Sequence, residues 1–293
     1  MANAPAIPTV AFGEHQVTRL MSGGNPLCGN SHWSARRSRE MREYFTPERV
    51  VSYLHELQRG GINTIQARGD YHRILYWLEL FGREGGRLHW IAQTASEMAD
   101  VFVNIRVLAA AGAIGIYHHG SQTDTFWREG RIDETRDYLK CMRDAGVRVG
   151  LGTHIPEVIE YAEEKGWDVD FYMACFYNLS RTERQSALVA GTAEAGADAG
   201  GGDDAPSNDE TFLESDPARM VEVIRKTDKQ CLAFKILGAG RRCATQDDVK
   251  NAFAYAFQNI KPQDAVVVGM YPKAEDQIAL NVRHTLDAIG SST

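Results

Sequence analysis

Short apolar runs rich in β-branched residues alternate along the chain with stretches of helical periodicity. Eight such runs, at Leu20–Gly23, Ile62–Ala67, Leu88–Thr94, Ala113–His118, Val147–Gly152, Val169–Phe176, Cys231–Leu237 and Ala265–Met270, predict strands. A strand followed by a helix is a βα unit, and successive βα units build a parallel sheet whose crossovers run through the helices. Eight of them predict an α/β protein of (β/α)8, or TIM-barrel, type. Local signals agree. Thr46-Pro47-Glu48-Arg49 reads as an N-cap with proline at the first helical position, and Gly60-Gly61 ends that helix. Ahead of the first barrel strand, Thr9–Phe12 and Gln16–Thr18 flank Gly13-Glu14 and predict a β-hairpin.

One stretch breaks the rhythm. Residues 181–211 are rich in Ala, Gly and Asp and lack apolar periodicity, which predicts a flexible insertion after the sixth strand. The C-terminal face of a barrel carries its active site, so an insertion there is either a lid or a plain tether.

The 293 residues suffice for one barrel domain spanning 1–293, since such barrels commonly take about 250. Hydrophobic residues at 43% and charged residues at 24% fit a globular chain. A formal net charge of −7 disfavours nucleic acid and anionic membranes, which call for a basic footprint. No apolar run approaches the roughly 18 residues of a membrane span. A small-molecule substrate is the expected partner, and the oligomeric state stays open. The N-terminus shows neither a basic start nor an apolar stretch. Cys28, Cys141, Cys175, Cys231 and Cys243 contain no Cys-x-x-Cys pair, so a reducing, cytoplasmic location is expected.

The candidate chemistry gathers at strand ends. Gly61-Ile-Asn-Thr-Ile-Gln66-Ala-Arg68-Gly-Asp70-Tyr71-His72 reads as a strand running into a loop that carries Tyr71. This segment resembles the second strand of the aldo/keto reductases, whose Asp-Thr-Ala run is followed, five residues after the Asp, by a proton-donating Tyr. Tyr71 keeps that offset, while Gln66 stands in the place of the Asp. The resemblance assigns the family's relay histidine to His118, in Ile114-Gly-Ile-Tyr-His118-His119, and finds Ile91-Ala-Gln93-Thr94 where the family's lysine would close the third strand.

The C-terminal quarter is similar to the same family. Lys235-Ile-Leu-Gly238-Ala-Gly240-Arg241 matches its Leu-Gly-x-Gly loop, and the run from Val267 through Lys273 and Gln277 to Asn281 matches its last strand, phosphate loop and helix. The resemblance implies NADP or NAD as cofactor, held by Thr153, His154, Lys235, Gly238, Gly240, Arg241, Lys273, Gln277 and Asn281. Glycine backbones, a helix start and cations suit a pyrophosphate. Where the family offers a Ser-Asn pair and a Gln to the nicotinamide, this chain has Thr153-His154 and Met173-Ala174. Gly150-x-Gly152 and Gly238-x-Gly240 lack the third glycine of a Rossmann fingerprint.

The implied activity is NADP(H)-dependent carbonyl reduction or alcohol oxidation, with Tyr71 and His118 catalytic. Asn25, Trp33, Arg68 and Asn178 suit a small hydroxylated, sugar-like substrate, since amides and Arg fix hydroxyls and an indole covers a sugar face. A second class stays open: a redox-inactive lyase or isomerase, or a hydrolase using a divalent metal held among His118, His154, Asp70, Cys175 and His32. A third is a non-catalytic nucleotide- or phosphate-binding barrel. Neighbouring strand residues face opposite ways, so only one of His118 and His119 can look into the barrel.

Overall fold

The computed structural model describes residues 6–181 and 210–290. An antiparallel hairpin of β1 (Thr9–Phe12) and β2 (His15–Thr18) precedes eight parallel strands. These are β3 (Leu20–Gly23), β4 (Thr64–Arg68), β5 (His89–Gln93), β6 (Gly115–His118), β7 (Arg148–Thr153), β8 (Phe171–Cys175), β9 (Gln230–Phe234) and β10 (Ala265–Gly269). They close into a barrel in chain order, with β10 returning to β3. Around it lie α1 (Ala35–Tyr44), α2 (Pro47–Arg59), α3 (Ile74–Arg83), α4 (Val101–Ala110), α5 (Gly120–Arg128), α6 (Thr135–Asp144), α7 (Pro156–Glu164), α8 (Asp216–Lys226), α9 (Gln246–Asn259) and α10 (Gln277–Gly290). The chain is therefore a TIM barrel with an N-terminal hairpin. Residues 182–209, most of the predicted insertion, lie outside the described residues.

A parallel barrel buries both faces of its strands, so β3, β6 and β8 are buried at every position. Strand alternation sends Met21, Ile91, Tyr117, Phe171, Met173, Leu232 and Val267 into the barrel. The intervening residues pack against the helices. Phe12 and Val17 of the hairpin join the interior cluster, and the Phe12 ring meets Phe171 edge-on at 5.0 Å. The Arg148 guanidinium lies 4.7 Å over Phe12, so the hairpin plugs the N-terminal end.

Glycines make room for these rings. A Cβ at Gly115 would lie 2.9 Å from Phe12, and one at Gly150 would collide with Phe171 and Tyr117. Gly150→Ala should cost about 1–3 kcal/mol through overpacking, read as a lower urea midpoint with an unchanged m-value.

Several strand ends differ from the sequence-based expectation. The run predicted as Ile62–Ala67 pairs at Thr64–Arg68, which brings Arg68 into the strand. The run predicted as Cys231–Leu237 stops at Phe234, because Lys235 turns into the left-handed region at φ 58°. Thr46 caps α2 as expected, accepting from the Arg49 N–H.

Candidate active site

The floor of the barrel mouth is polar. Gln66 and Arg68 of β4, Gln93 of β5 and Tyr117 of β6 share the inward face, as period-two alternation requires. Gln66 Nε2 donates to the Tyr117 hydroxyl at 2.7 Å, and that hydroxyl donates to Gln93 Oε1 at 2.8 Å. Burial raises the Tyr117 phenol above its ordinary range, opposed by the Gln66 bond and the Arg68 charge, so it stays a neutral donor. Arg68 pairs with Glu97 on the loop after β5. Burial lowers its guanidinium, opposed by nearby Cys28 and Asp70, and burial pushes the Cys28 thiol up to about 11.

On the opposite wall β7 delivers His154. Its ring is buried and meets Phe234 at 5.6 Å, edge to face. Behind it Asp124 projects from the first turns of α5, with Oδ2 2.6 Å from His154 Nδ1. The same carboxylate accepts from the His154 backbone N–H at 3.2 Å and from Thr153 Oγ1 at 2.6 Å. A carboxylate only accepts, so Nδ1 carries the proton and Nε2 is the basic nitrogen. This Asp–His pair can orient a general acid–base group.

A third group of side chains spans the rim. Glu210 Oε1 accepts from His32 Nδ1 at 2.9 Å, and its Oε2 lies 3.9 Å from Lys235 Nζ, whose side chain is 8% exposed. His32 Nε2 takes the Asn25 amide at 3.1 Å. Arg241 stacks on Phe212 at 3.8 Å and on Trp33 at 5.7 Å, and donates to the His32 carbonyl at 3.2 Å. Three successive left-handed residues, Gly238, Ala239 and Gly240, shape the loop that bears it.

The structure separates several residues that the sequence reading had grouped. His118 does not face the mouth. It points outward between β6 and the helices, bonded to Thr123 at 2.8 Å and stacked on Tyr138 at 4.9 Å and Phe126 at 5.8 Å. Gly115 and Tyr117 take the inward positions of β6, so the inward histidine is His119, whose Nδ1 meets Ser96 Oγ at 2.9 Å. Tyr71 lies half-buried in the turn after β4, while His118 packs on the helix side of β6. Thr153 turns to the wall and Asp124, while His154 takes the mouth side.

The remaining positions serve their own loops. Asn178 Oδ1 accepts from Ser180 at 2.6 Å and shapes the turn after β8. Gln277 Oε1 accepts from the Tyr271 N–H at 2.7 Å and closes the β10–α10 loop, Lys273 is exposed on that loop, and Asn281 is buried in α10. Among the described residues no three His, Cys, Asp or Glu side chains are grouped to hold a metal ion. No helix there is long and apolar enough to cross a membrane.

Sequence reasoning missed Asp124, Tyr117, Gln93, His119 and Glu210 as site residues. Gln93 and Tyr117 share a register row with Arg68, a signal that becomes readable once the strand pairing is known.

No protein-family model matches this sequence, and no curated protein does. Solved structures do share its fold. A candidate aldo-keto reductase from Pseudomonas aeruginosa superposes with a TM-score of 0.53 at 18% identity, over 97% of this chain and 94% of its own. Dihydropteroate synthase from Xanthomonas albilineans gives 0.52 at 14%, over 97% of both chains. A truncated 3-deoxy-D-arabino-heptulosonate 7-phosphate synthase from Thermotoga maritima gives 0.50 at 14%, over 98% of this chain and 91% of its own. An aldo-keto reductase and two synthases thus score alike. The likeness establishes the barrel and selects no single chemistry.

Proposed function

We propose that this protein is an enzyme that moves protons on a small hydroxylated carbonyl compound at the barrel mouth, as a lyase or isomerase. His154 is the acid–base group and Asp124 is the residue that orients it. The 2.6 Å contact between Asp124 and His154 Nδ1 carries this reading. It ranks above hydride transfer because the reductase-type relay is not gathered: Gln66 is bonded to Tyr117, the third strand ends on Gln93-Thr94, and His118 faces the helices.

Proton abstraction next to a carbonyl leaves a mark independent of the final product. Incubation in deuterated water with a panel of hydroxyaldehydes, hydroxyketones and 2-oxo acids should give deuterium at the α carbon by NMR. Exchange should drop by roughly 10²–10⁴-fold in His154→Gln. No exchange with any of the panel, or equal exchange in the variant, would sink this reading.

Nicotinamide-dependent reduction is the second reading. The exposed Lys273 beside the start of α10 and the glycine-bearing turn at 238–240 favour it. Tyr71 would be its proton donor and NADP or NAD its cofactor. Titration with NADPH should then raise nicotinamide fluorescence, and Lys273→Ala should weaken binding by about 1–3 kcal/mol. A flat titration removes this reading.

A further inference from the structure

We infer that Arg68 is an oxyanion-binding residue, and hence that the compound acted on at the mouth carries a carboxylate or phosphate group. The inference names the substrate class of the proton-transfer reading above and rests on it. Three observations meet at this side chain. Arg68 Nε is buried and has no hydrogen-bond partner among the described residues. Its Nη2 pairs with Glu97, which comes from the loop after β5 and is 40% exposed, so a carboxylate already reaches this guanidinium from the solvent side. The other nearby carboxylate is turned to a different cation: Asp70 Oδ1 accepts the N–H groups of Arg73 and Ile74, and its Oδ2, which makes no hydrogen bond, lies 3.1 Å from Arg73 Nη2.

A guanidinium offers its donors in a planar fork that matches a carboxylate or phosphate edge-on. Here part of that fork is held by an exposed residue and the buried Nε–H is unspent. Beneath it lies a neutral floor in which the Tyr117 hydroxyl donates a hydrogen bond to Gln93, so the floor adds no charge to compete for the cation. An oxyanion entering the mouth would displace Glu97 and satisfy Nε at the same time. Glu97 thus acts as a placeholder, and Arg68 sets where the anionic end of the substrate lies relative to His154.

Thermal melts of the full chain with inorganic phosphate or acetate, against chloride at matched ionic strength, test this. A saturable rise in Tm beyond chloride is expected in the wild-type protein. It should vanish in Arg68→Gln, and Glu97→Gln should lower the half-saturating concentration by roughly tenfold, because the internal competitor is gone. The probe that saturates lower identifies the source as a phosphate ester or a carboxylic acid.

Should Arg68→Gln fail to fold, Arg68→Lys keeps the charge without the fork and should raise half-saturation by roughly tenfold. His154→Gln should keep the full shift, which separates failure of this subsite from failure of the acid–base reading. A shift no larger than that of chloride, or one undiminished in both Arg68 variants, overturns the proposal, and so does an unchanged half-saturation in Glu97→Gln.

Discussion

Asp124→Ala is expected to destabilise the protein by roughly 3–5 kcal/mol, the summed cost of leaving three buried hydrogen-bond donors without their charged acceptor. Asp124 is 2% exposed and accepts from three donors, Thr153 Oγ1, the His154 N–H and His154 Nδ1. Alanine would leave all three without their acceptor, in a site closed by α5 and β7. Asp124→Asn keeps the shape but turns one acceptor into a donor facing a donor, which should cost about 1–3 kcal/mol. In the enzyme the second change matters more, since an amide no longer selects the tautomer with its proton on Nδ1. Deuterium exchange at the α carbon should then fall by roughly 10²–10⁴-fold while the fold persists. Urea unfolding of both variants, followed by exchange with Asp124→Asn, checks the pair of effects. Wild-type midpoints in both variants would show that the carboxylate holds nothing in place.

The barrel was legible because of how it is buried. Strands covered on both faces read as unbroken apolar runs, and β6, β8 and β10 stood out for that reason. Strand ends were harder where the apolar run outlasts the strand. Ile236 and Leu237 continue the pattern after β9, yet the chain has already turned at Lys235.

The site was half legible. Arg68 and His154 close strands on the mouth side, so their position in the repeat marked them. Asp124 could not be found that way. It stands 30 residues before His154 and reaches it only because α5 packs its first turns beside the end of β7. The choice between His118 and His119 depended on register. The resemblance assigned the relay to His118, but Gly115 lies under Phe12 and shares its inward phase with Tyr117 and His119. The strand pairing of β6 with β5 and β7 decides which of them faces the mouth.

The same register has a measurable consequence at His118. Its ring is 2% exposed, with Phe126 and Tyr138 against it, and burial lowers its pKa to about 3, opposed by the charge of Asp124. A histidine in the unfolded chain titrates near about 6.5. The unfolded state therefore binds a proton that the native state refuses between these two values. The stability tied to neutral His118 is present above about pH 6.5 and is lost progressively as the pH falls toward 3, at up to roughly 1.4 kcal/mol per pH unit. His118→Phe keeps an aromatic ring against Phe126 and Tyr138 and removes the titrating group. It gives up the 2.8 Å bond to Thr123, so its stability at pH 7 should be lower by about 1 kcal/mol. Between pH 6.5 and 4 its unfolding free energy should fall less steeply than the wild type's, and the two curves should approach or cross. Urea unfolding across that range reads the difference in slope directly. Parallel curves would mean that His118 is protonated in place, which would contradict a buried ring on the helix side of β6.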